Sequence, residues 1–160
     1  MTERQKTLQK LDEADITYGF KEHPAVYTIE EMDNLGISED VVKNLFLRDS
    51  SGKRHFLVVL SKEKQANLKS ISDKIGTSRL SFASEDRLQR YLNLSKGAVS
   101  PLGILNDAAH CVEVVFDKDL TDRQSIGVHP NDNTATVWMS FEALRGIVER
   151  NGNTIHFIEL

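Results

Sequence analysis

The sequence predicts an α/β domain whose β-sheet contains strands of mixed direction. Strand-like and helix-like segments follow one another without the regular alternation that produces an all-parallel sheet. Two apolar segments, 42–48 and 54–60, are joined by five residues of turn-forming composition and therefore predict an antiparallel hairpin. The chain has 160 residues, enough for one hydrophobic core, and we expect residues 1–160 to form a single domain.

The elements before and after this hairpin are predicted by helix caps and chain-breaking residues. Thr2 begins a capping box, so a helix is expected over 2–14, and a short strand follows at 18–23 before a proline. Thr28 begins a second capping box and predicts a short helix that stops near residue 36. Later caps and apolar segments predict helices at 68–75, 84–92 and 140–150 and strands at 111–116, 134–139 and 154–158.

Charge is distributed unevenly along the chain. The formal net charge of −4 argues against nonspecific nucleic-acid binding, but residues 43–96 contain 12 Lys and Arg against 5 Asp and Glu. This basic segment is explained either by solvated helix faces or by a surface that docks a polyanion. Lys69, Lys74 and Arg79 are candidates for such a surface, and composition leaves both explanations open.

Composition also bears on the compartment. The first residues are polar, and no segment approaches the roughly 20 apolar residues that cross a membrane, so we expect a soluble, cytoplasmic protein without a membrane partner. Cys111 is the single cysteine, which excludes an internal disulfide. The five histidines show no metal-ligand spacing, and we expect neither a metal site nor a cofactor.

Lys43 is the residue that most strongly indicates a function. It lies in an apolar strand with large side chains on both faces, where an ammonium group is costly to bury unless a partner or substrate uses it. A desolvated lysine could perform amine chemistry, whereas one that meets a phosphate or carbonyl oxygen would act as a charged clamp. The alternative is a lysine at a strand edge that keeps its amine in water.

Two histidine-containing segments offer weaker candidates. His129 precedes a proline between two strand-like segments, so its imidazole lies on a stiff loop that could hold a polar substrate group, or it belongs to an ordinary turn. The pair His110-Cys111 suggests a thiol nucleophile, but adjacent strand residues point to opposite faces, and Cys111 begins an apolar segment typical of a packed cysteine. Motifs of several common enzyme classes, GxGxxG, HExxH and GxSxG among them, are absent.

Four stretches together resemble the YbaK and prolyl-tRNA-synthetase-associated editing domains, in particular the free-standing branch called PrdX or ProXp-ala. The resemblance spans almost the whole chain and depends on the order of the motifs more than on any one of them. The four stretches are His23-Pro24-Ala25-Val26-Tyr27-Thr28, Lys43-Asn44-Leu45-Phe46-Leu47-Arg48-Asp49, the GxxxP loop from Gly97 to Pro101, and Gly127-Val128-His129-Pro130-Asn131.

This resemblance implies a mixed, barrel-like β-sheet flanked by helices, and an enzyme that hydrolyses the ester between a wrong amino acid and tRNA(Pro). The implied substrate is alanyl-tRNA(Pro), bound through its acceptor end, with prolyl-tRNA synthetase as a possible further partner. Lys43, with Asn44 beside it, would orient the aminoacyl-adenosine end while water attacks with help from a ribose hydroxyl. Substrate contacts are implied for Gly97, Ser100, Pro101, Gly127 and His129, and for Thr28, Met32 and Phe46 as residues that set the pocket size.

Three alternatives remain open on the sequence alone. Related branches share the lysine but edit cysteine, serine or threonine. A noncatalytic module could bind tRNA or a synthetase with the same fold. A hydrolase that uses Cys111 would depend on that thiol for activity.

Overall fold

A computed structural model describes all 160 residues and contains five α-helices and eight β-strands. The helices begin at the predicted caps: the hydroxyls of Thr2, Thr28, Ser84 and Ser140 each accept a hydrogen bond from an amide of the first helical turn. The helices are α1 (Glu3–Glu13), α2 (Ile29–Asn34), α3 (Leu68–Ile75), α4 (Glu85–Leu92) and α5 (Phe141–Asn151). Short 3-10 helices occupy Lys96–Ala98, Pro101–Asn106 and Lys118–Leu120.

The strands form two separate sheets. They are β1 (Gly19–Glu22), β2 (Val42–Arg48), β3 (His55–Ser61), β4 (Ser81–Phe82), β5 (Val112–Asp117), β6 (Ile126–Val128), β7 (Ala135–Met139) and β8 (Ile155–Ile158). The larger sheet has the order β4-β2-β3-β5-β8, with β2 and β3 antiparallel as the predicted hairpin and β3, β5 and β8 parallel. The predicted mixed sheet is therefore confirmed.

The smaller sheet consists of β1, β7 and β6, and one backbone bridge joins it to the larger sheet. Val41, just before β2, forms a parallel bridge with Gly127 of β6, and the Gly127 amide donates to the Asp40 carbonyl oxygen at 2.8 Å. The sheets therefore approach each other without forming a closed barrel, and the mixed sheet flanked by helices that the resemblance implied is confirmed. This junction brings the first residues of β2 next to β6.

Apolar side chains bury both faces of the larger sheet. All seven residues of β3 are buried, since α4, α5 and the smaller sheet cover one face and α3 covers the other. Strand β2 is covered less evenly, because β4 pairs only with Leu47 and Arg48. The first half of β2, including Lys43, is consequently open along one edge. No helix is long and apolar enough to cross a membrane.

Candidate active site

A cavity of about 240 Å³ lies at the junction of the two sheets. Its walls are the first half of β2, the end of β6, helix α2 and the 3-10 helix at 96–98. Seven of the residues predicted from the sequence line it together: Thr28, Met32, Lys43, Asn44, Gly97, Gly127 and His129. Residues that are far apart in the sequence thus line one cavity.

Lys43 is partly buried, and its ammonium group is held by a neutral partner. Its Nζ donates to the backbone carbonyl oxygen of Lys64 at 2.5 Å, and no carboxylate lies within salt-bridge distance. The Lys64 side chain is anchored in turn by the fully buried Asp117 at 2.8 Å and by Asp119 at 2.5 Å. Because a carbonyl carries no net charge, the positive charge of Lys43 stays available to a ligand.

A second lysine makes the cavity distinctly positive. Lys96 lines the wall opposite β2, is exposed, and forms no salt bridge, and no Asp or Glu is among the lining residues. Two ammonium groups without a carboxylate favour an anionic or strongly electronegative ligand group. The sequence analysis missed Lys96, whose only signal was its position directly before the GxxxP loop.

Asn44 contributes a buried acceptor without a partner. The Oδ1 atom of Asn44 is inaccessible to solvent and accepts no hydrogen bond from the chain. Leaving such an atom unpaired costs about 1–3 kcal/mol, and a donor from a ligand would recover that energy. Since successive strand residues point to opposite faces, Asn44 and Lys43 approach the cavity from different sides of β2.

The GxxxP loop places free amides on the cavity wall. The amides of Gly97 and Val99, both lining residues, donate no hydrogen bond within the chain, whereas that of Ala98 donates to the Ser95 carbonyl oxygen at 3.0 Å. Glycine is required at 97, because a Cβ there would lie 2.5 Å from Cδ1 of Tyr27. Two N–H groups are therefore available to a substrate oxygen.

Ser100 and Pro101 lie outside the cavity lining and support the loop from behind. The Ser100 hydroxyl donates to the His129 carbonyl oxygen at 2.6 Å and accepts from the Leu102 amide at 3.2 Å. Pro101 begins the following 3-10 helix, and both residues are buried. Neither side chain is therefore exposed to a substrate in the cavity.

Phe46 also lies outside the cavity lining. Its ring is buried in the core and stacks on that of His55 with centroids 5.6 Å apart. Phe46 is further along β2 than the cavity, and the predicted residue that supplies a buried apolar side chain to the wall is Met32, which packs with Val26 and Val41. Thr28 lines the rim and caps α2 by accepting from the Glu31 amide at 3.1 Å.

His129 presents an unprotonated ring nitrogen. Its Nδ1 lies 2.8 Å from the Ala135 carbonyl oxygen, which can only accept, so Nδ1 carries the hydrogen and Nε2 of the neutral ring is an acceptor. Desolvation lowers the pKa of His129, and the nearby His23, whose ring centroid is 6.0 Å away, acts in the same direction. The neutral imidazole is therefore favoured at pH 7.

The other reactive candidates lie elsewhere. Cys111 is exposed and does not line the cavity. Asn131, which follows the His129-Pro130 pair, is buried and donates to the Thr7 hydroxyl at 3.1 Å and the Leu102 carbonyl oxygen at 3.2 Å, so it fixes the loop. No serine or cysteine lines the cavity.

The fold and cavity define a small α/β domain with a cavity lined by two lysines, an asparagine and the GxxxP loop. Comparison with known proteins specifies the class further. Residues 23–147 match the model of the aminoacyl-tRNA editing domain family, and the chain belongs to that family. The resemblance found in the four motifs is thereby confirmed, and the predicted enzyme class, an aminoacyl-tRNA deacylase, agrees with it.

Similar proteins cover the whole chain. The prolyl-tRNA editing protein ProX of Acetoanaerobium sticklandii is 56% identical over 162 residues, which cover 100% of this chain and 99% of that protein. The prolyl-tRNA synthetase associated domain-containing protein 1 of Xenopus laevis is 32% identical, with 96% of each chain covered. A solved structure described as a proposed trans-editing enzyme for prolyl tRNA synthetase has the same fold, with a TM-score of 0.71 at 16% identity over 100% of this chain and 99% of that one.

Proposed function

We propose that this chain is a trans-editing hydrolase that deacylates mischarged tRNA(Pro), with alanyl-tRNA(Pro) as its substrate. The observation that carries the proposal is the cavity with two unpaired lysines, free amides and no carboxylate. The name of the Acetoanaerobium sticklandii relative, a prolyl-tRNA editing protein, supports tRNA(Pro) as the acceptor. We also propose that residues 1–160 form one editing domain that works in the cytoplasm.

The chemical need for such an enzyme follows from the sizes of proline and alanine. A synthetase pocket built for proline rejects the smaller alanine weakly, because each methylene contributes only about 1–3 kcal/mol of discrimination. A second site can correct the error if it admits alanine and excludes proline. Met32 and the α2 wall give this cavity a rigid apolar side that supports exclusion by size.

In the proposed reaction, water attacks the ester carbonyl carbon and the bond to the ribose oxygen breaks. The ribose oxygen takes up a proton, and the products are free alanine and tRNA(Pro). Lys43 holds the aminoacyl-adenosine end, and the Gly97 and Val99 amides stabilise the developing negative charge on the carbonyl oxygen. A neighbouring ribose hydroxyl assists the water, so the cavity needs no serine or cysteine.

Asn44 and His129 have roles that fit their free acceptor atoms. The substrate's α-ammonium group is a donor, and a movement of the Asn44 side chain on binding would bring its buried, unpaired Oδ1 within reach of that group. The unprotonated Nε2 of His129 can accept from the same group or from a ribose hydroxyl. Neutral His129 adds no positive charge that would repel an ammonium.

A deacylation panel tests the proposal with Ala-, Cys-, Ser-, Thr- and Pro-charged tRNA(Pro). We expect rapid hydrolysis of the alanyl ester and none of the prolyl ester. If the ester of another small amino acid is hydrolysed faster, that amino acid replaces alanine in the proposed substrate. Binding of tRNA without hydrolysis of any ester would favour a noncatalytic module, and the relatives named after prolyl-tRNA synthetase make that synthetase the first partner to test by pull-down.

Substitution of Lys43 tests the mechanism separately. Lys43→Gln keeps a donor for the Lys64 carbonyl oxygen but removes the charge, and we expect kcat/KM to fall about 100- to 1000-fold, as for the loss of one strong transition-state donor. Lys10→Ala is the matched control, because Lys10 is an exposed lysine of α1 outside the cavity. Full activity of the Lys43 variant would remove Lys43 from the mechanism, and loss of activity in Cys111→Ala would move catalysis to the thiol.

A further inference from the structure

A second concavity continues from the cavity along β2. This groove, of about 410 Å³, lies between β2, β4, the first turn of α4 and the 3-10 helix at 96–98. It shares Asn44, Leu45, Lys96 and Val99 with the cavity. The groove therefore adjoins the cavity, and a ligand larger than the cavity has a second concavity directly beside it.

The groove carries an exposed aromatic side chain. Phe82 is 63% exposed, although it belongs to a strand, and it lines the groove directly. Its backbone is fixed, because Phe82 pairs with Leu47 and the next amide, that of Ala83, donates to the Phe46 carbonyl oxygen at 3.0 Å. An exposed aromatic ring on a fixed backbone is a stacking surface for a flat ligand group.

The charges at the two ends of the groove indicate how a nucleotide would lie. Lys96 is exposed and unpaired at the end shared with the cavity, and it favours a phosphate there. Glu85 lines the other end, near Phe82, and its carboxylate disfavours a phosphate while it can accept from an amino group of a base. The uncharged base of a nucleotide therefore fits beside Phe82, with its phosphate towards Lys96.

We propose that this groove is a nucleobase subsite in which a base of the tRNA acceptor end stacks on Phe82. The proposal rests on the proposed function, since it takes the ester to lie in the adjoining cavity. The base is either the terminal adenine or the base that precedes it, and both share the flat ring and the exocyclic amino group that the groove can recognise.

Kinetics with two substrates test the subsite. We expect Phe82→Ala to lower kcat/KM for alanyl-tRNA(Pro) about 5- to 150-fold, the range that stacking of one base on an aromatic side chain gives. Phe82→Trp should retain activity because it retains a ring. Phe20→Ala is the matched control, since Phe20 is a 46% exposed aromatic residue of β1 that lines neither the cavity nor the groove.

The ester of alanine with adenosine alone is the second substrate. An equal loss on alanyl-adenosine and on alanyl-tRNA(Pro) would place the terminal adenine on Phe82, and a loss confined to the tRNA would place the preceding base there. Rates for Phe82→Ala within twofold of the parent on both substrates would overturn the subsite.

Binding of the trinucleotide CCA, measured by calorimetry, separates this proposal from the proposed function. If the parent protein hydrolyses no ester, the deacylase proposal fails. The subsite would still predict weaker CCA binding by Phe82→Ala than by the parent and by Phe20→Ala. Equal CCA affinity in all three proteins would overturn the subsite even if the parent is an active deacylase.

Discussion

Replacing Gly127 with alanine tests the close packing at the sheet junction. A Cβ at this position would lie 2.7 Å from Nε1 of Trp138 and 2.9 Å from Cγ2 of Val41, both shorter than real Cβ contacts. One of these side chains must therefore move. Trp138 cannot move freely, because its Nε1 donates to the Glu39 carbonyl oxygen at 2.7 Å, and Val41 carries the backbone bridge between the sheets.

The size of the effect of Gly127→Ala follows from these contacts. Forcing an extra carbon into a packed site costs about 1–3 kcal/mol, and losing the Trp138 hydrogen bond costs about 0.5–1.5 kcal/mol. The smaller conformational entropy of alanine in the unfolded chain returns about 0.4–1 kcal/mol. We therefore expect the free energy of unfolding to fall by about 0.5–4 kcal/mol.

Urea denaturation followed by tryptophan fluorescence measures this change directly. Trp138 is the only tryptophan, so its emission reports both unfolding and any displacement at the junction. Gly146→Ala is the control, because a Cβ there would meet only the guanidinium of Arg150, and alanine in a helix interior should stabilise α5 by about 0.5–1 kcal/mol. A Gly127→Ala protein as stable as the parent within about 0.5 kcal/mol would refute the reasoning.

Three further predictions concern pH, positioning and the helix over the cavity. Burial and the neighbouring Arg87 lower the pKa of His55 to about 4. Between about pH 4 and pH 6.5, the imidazole is therefore protonated in the unfolded chain but neutral in the folded protein. Stability should fall by about 1–2 kcal/mol from pH 8 to pH 5, and urea curves of His55→Gln should show a smaller fall. Asp117→Asn removes the buried carboxylate that anchors the Lys64 side chain, and the Lys64 carbonyl oxygen in turn holds Lys43. We expect kcat to fall about tenfold with little change in KM. An unchanged kcat would show that Asp117 does not position Lys43. Thr28→Ala should cost about 1 kcal/mol of local stability, seen as roughly fivefold faster amide exchange in α2 than in the parent.

Local chemistry explains which parts of the fold were predictable. Caps such as Thr2 and Ser84 act within one helical turn, and the hairpin loop joins neighbouring strands, so short stretches of sequence contain the whole signal. Strand β4 has two residues and pairs with the distant β2, and β6 has three residues and pairs with the neighbouring β7, so both are too short to show an alternating pattern. The sequence analysis therefore missed both, together with the 3-10 helices.

The sequence predicted which residues line the cavity better than it predicted how they are arranged. The motif resemblance named seven residues that line one cavity, but the bridge between Val41 and Gly127 that brings them together is a tertiary contact without a local pattern. Lys96 was missed because a lysine in a polar loop has no periodicity to mark it. The substrate contacts of Phe46 and Ser100 stay predictions: Phe46 lines the adjoining groove, and Ser100 is buried behind the GxxxP loop.

Lys43 differs from the buried lysine that the apolar strand suggested, and the difference bears on its chemistry. A fully desolvated ammonium would tend to lose its proton, and one paired with a carboxylate would have to break that pair before it met a substrate. The carbonyl oxygen of Lys64 provides a third arrangement, since it orients the ammonium by a dipole and leaves its charge uncompensated. Lys96 also lines the cavity and no carboxylate does, so nothing on the lining neutralises the two positive charges. An electrostatic clamp is therefore the role that this geometry supports best for Lys43.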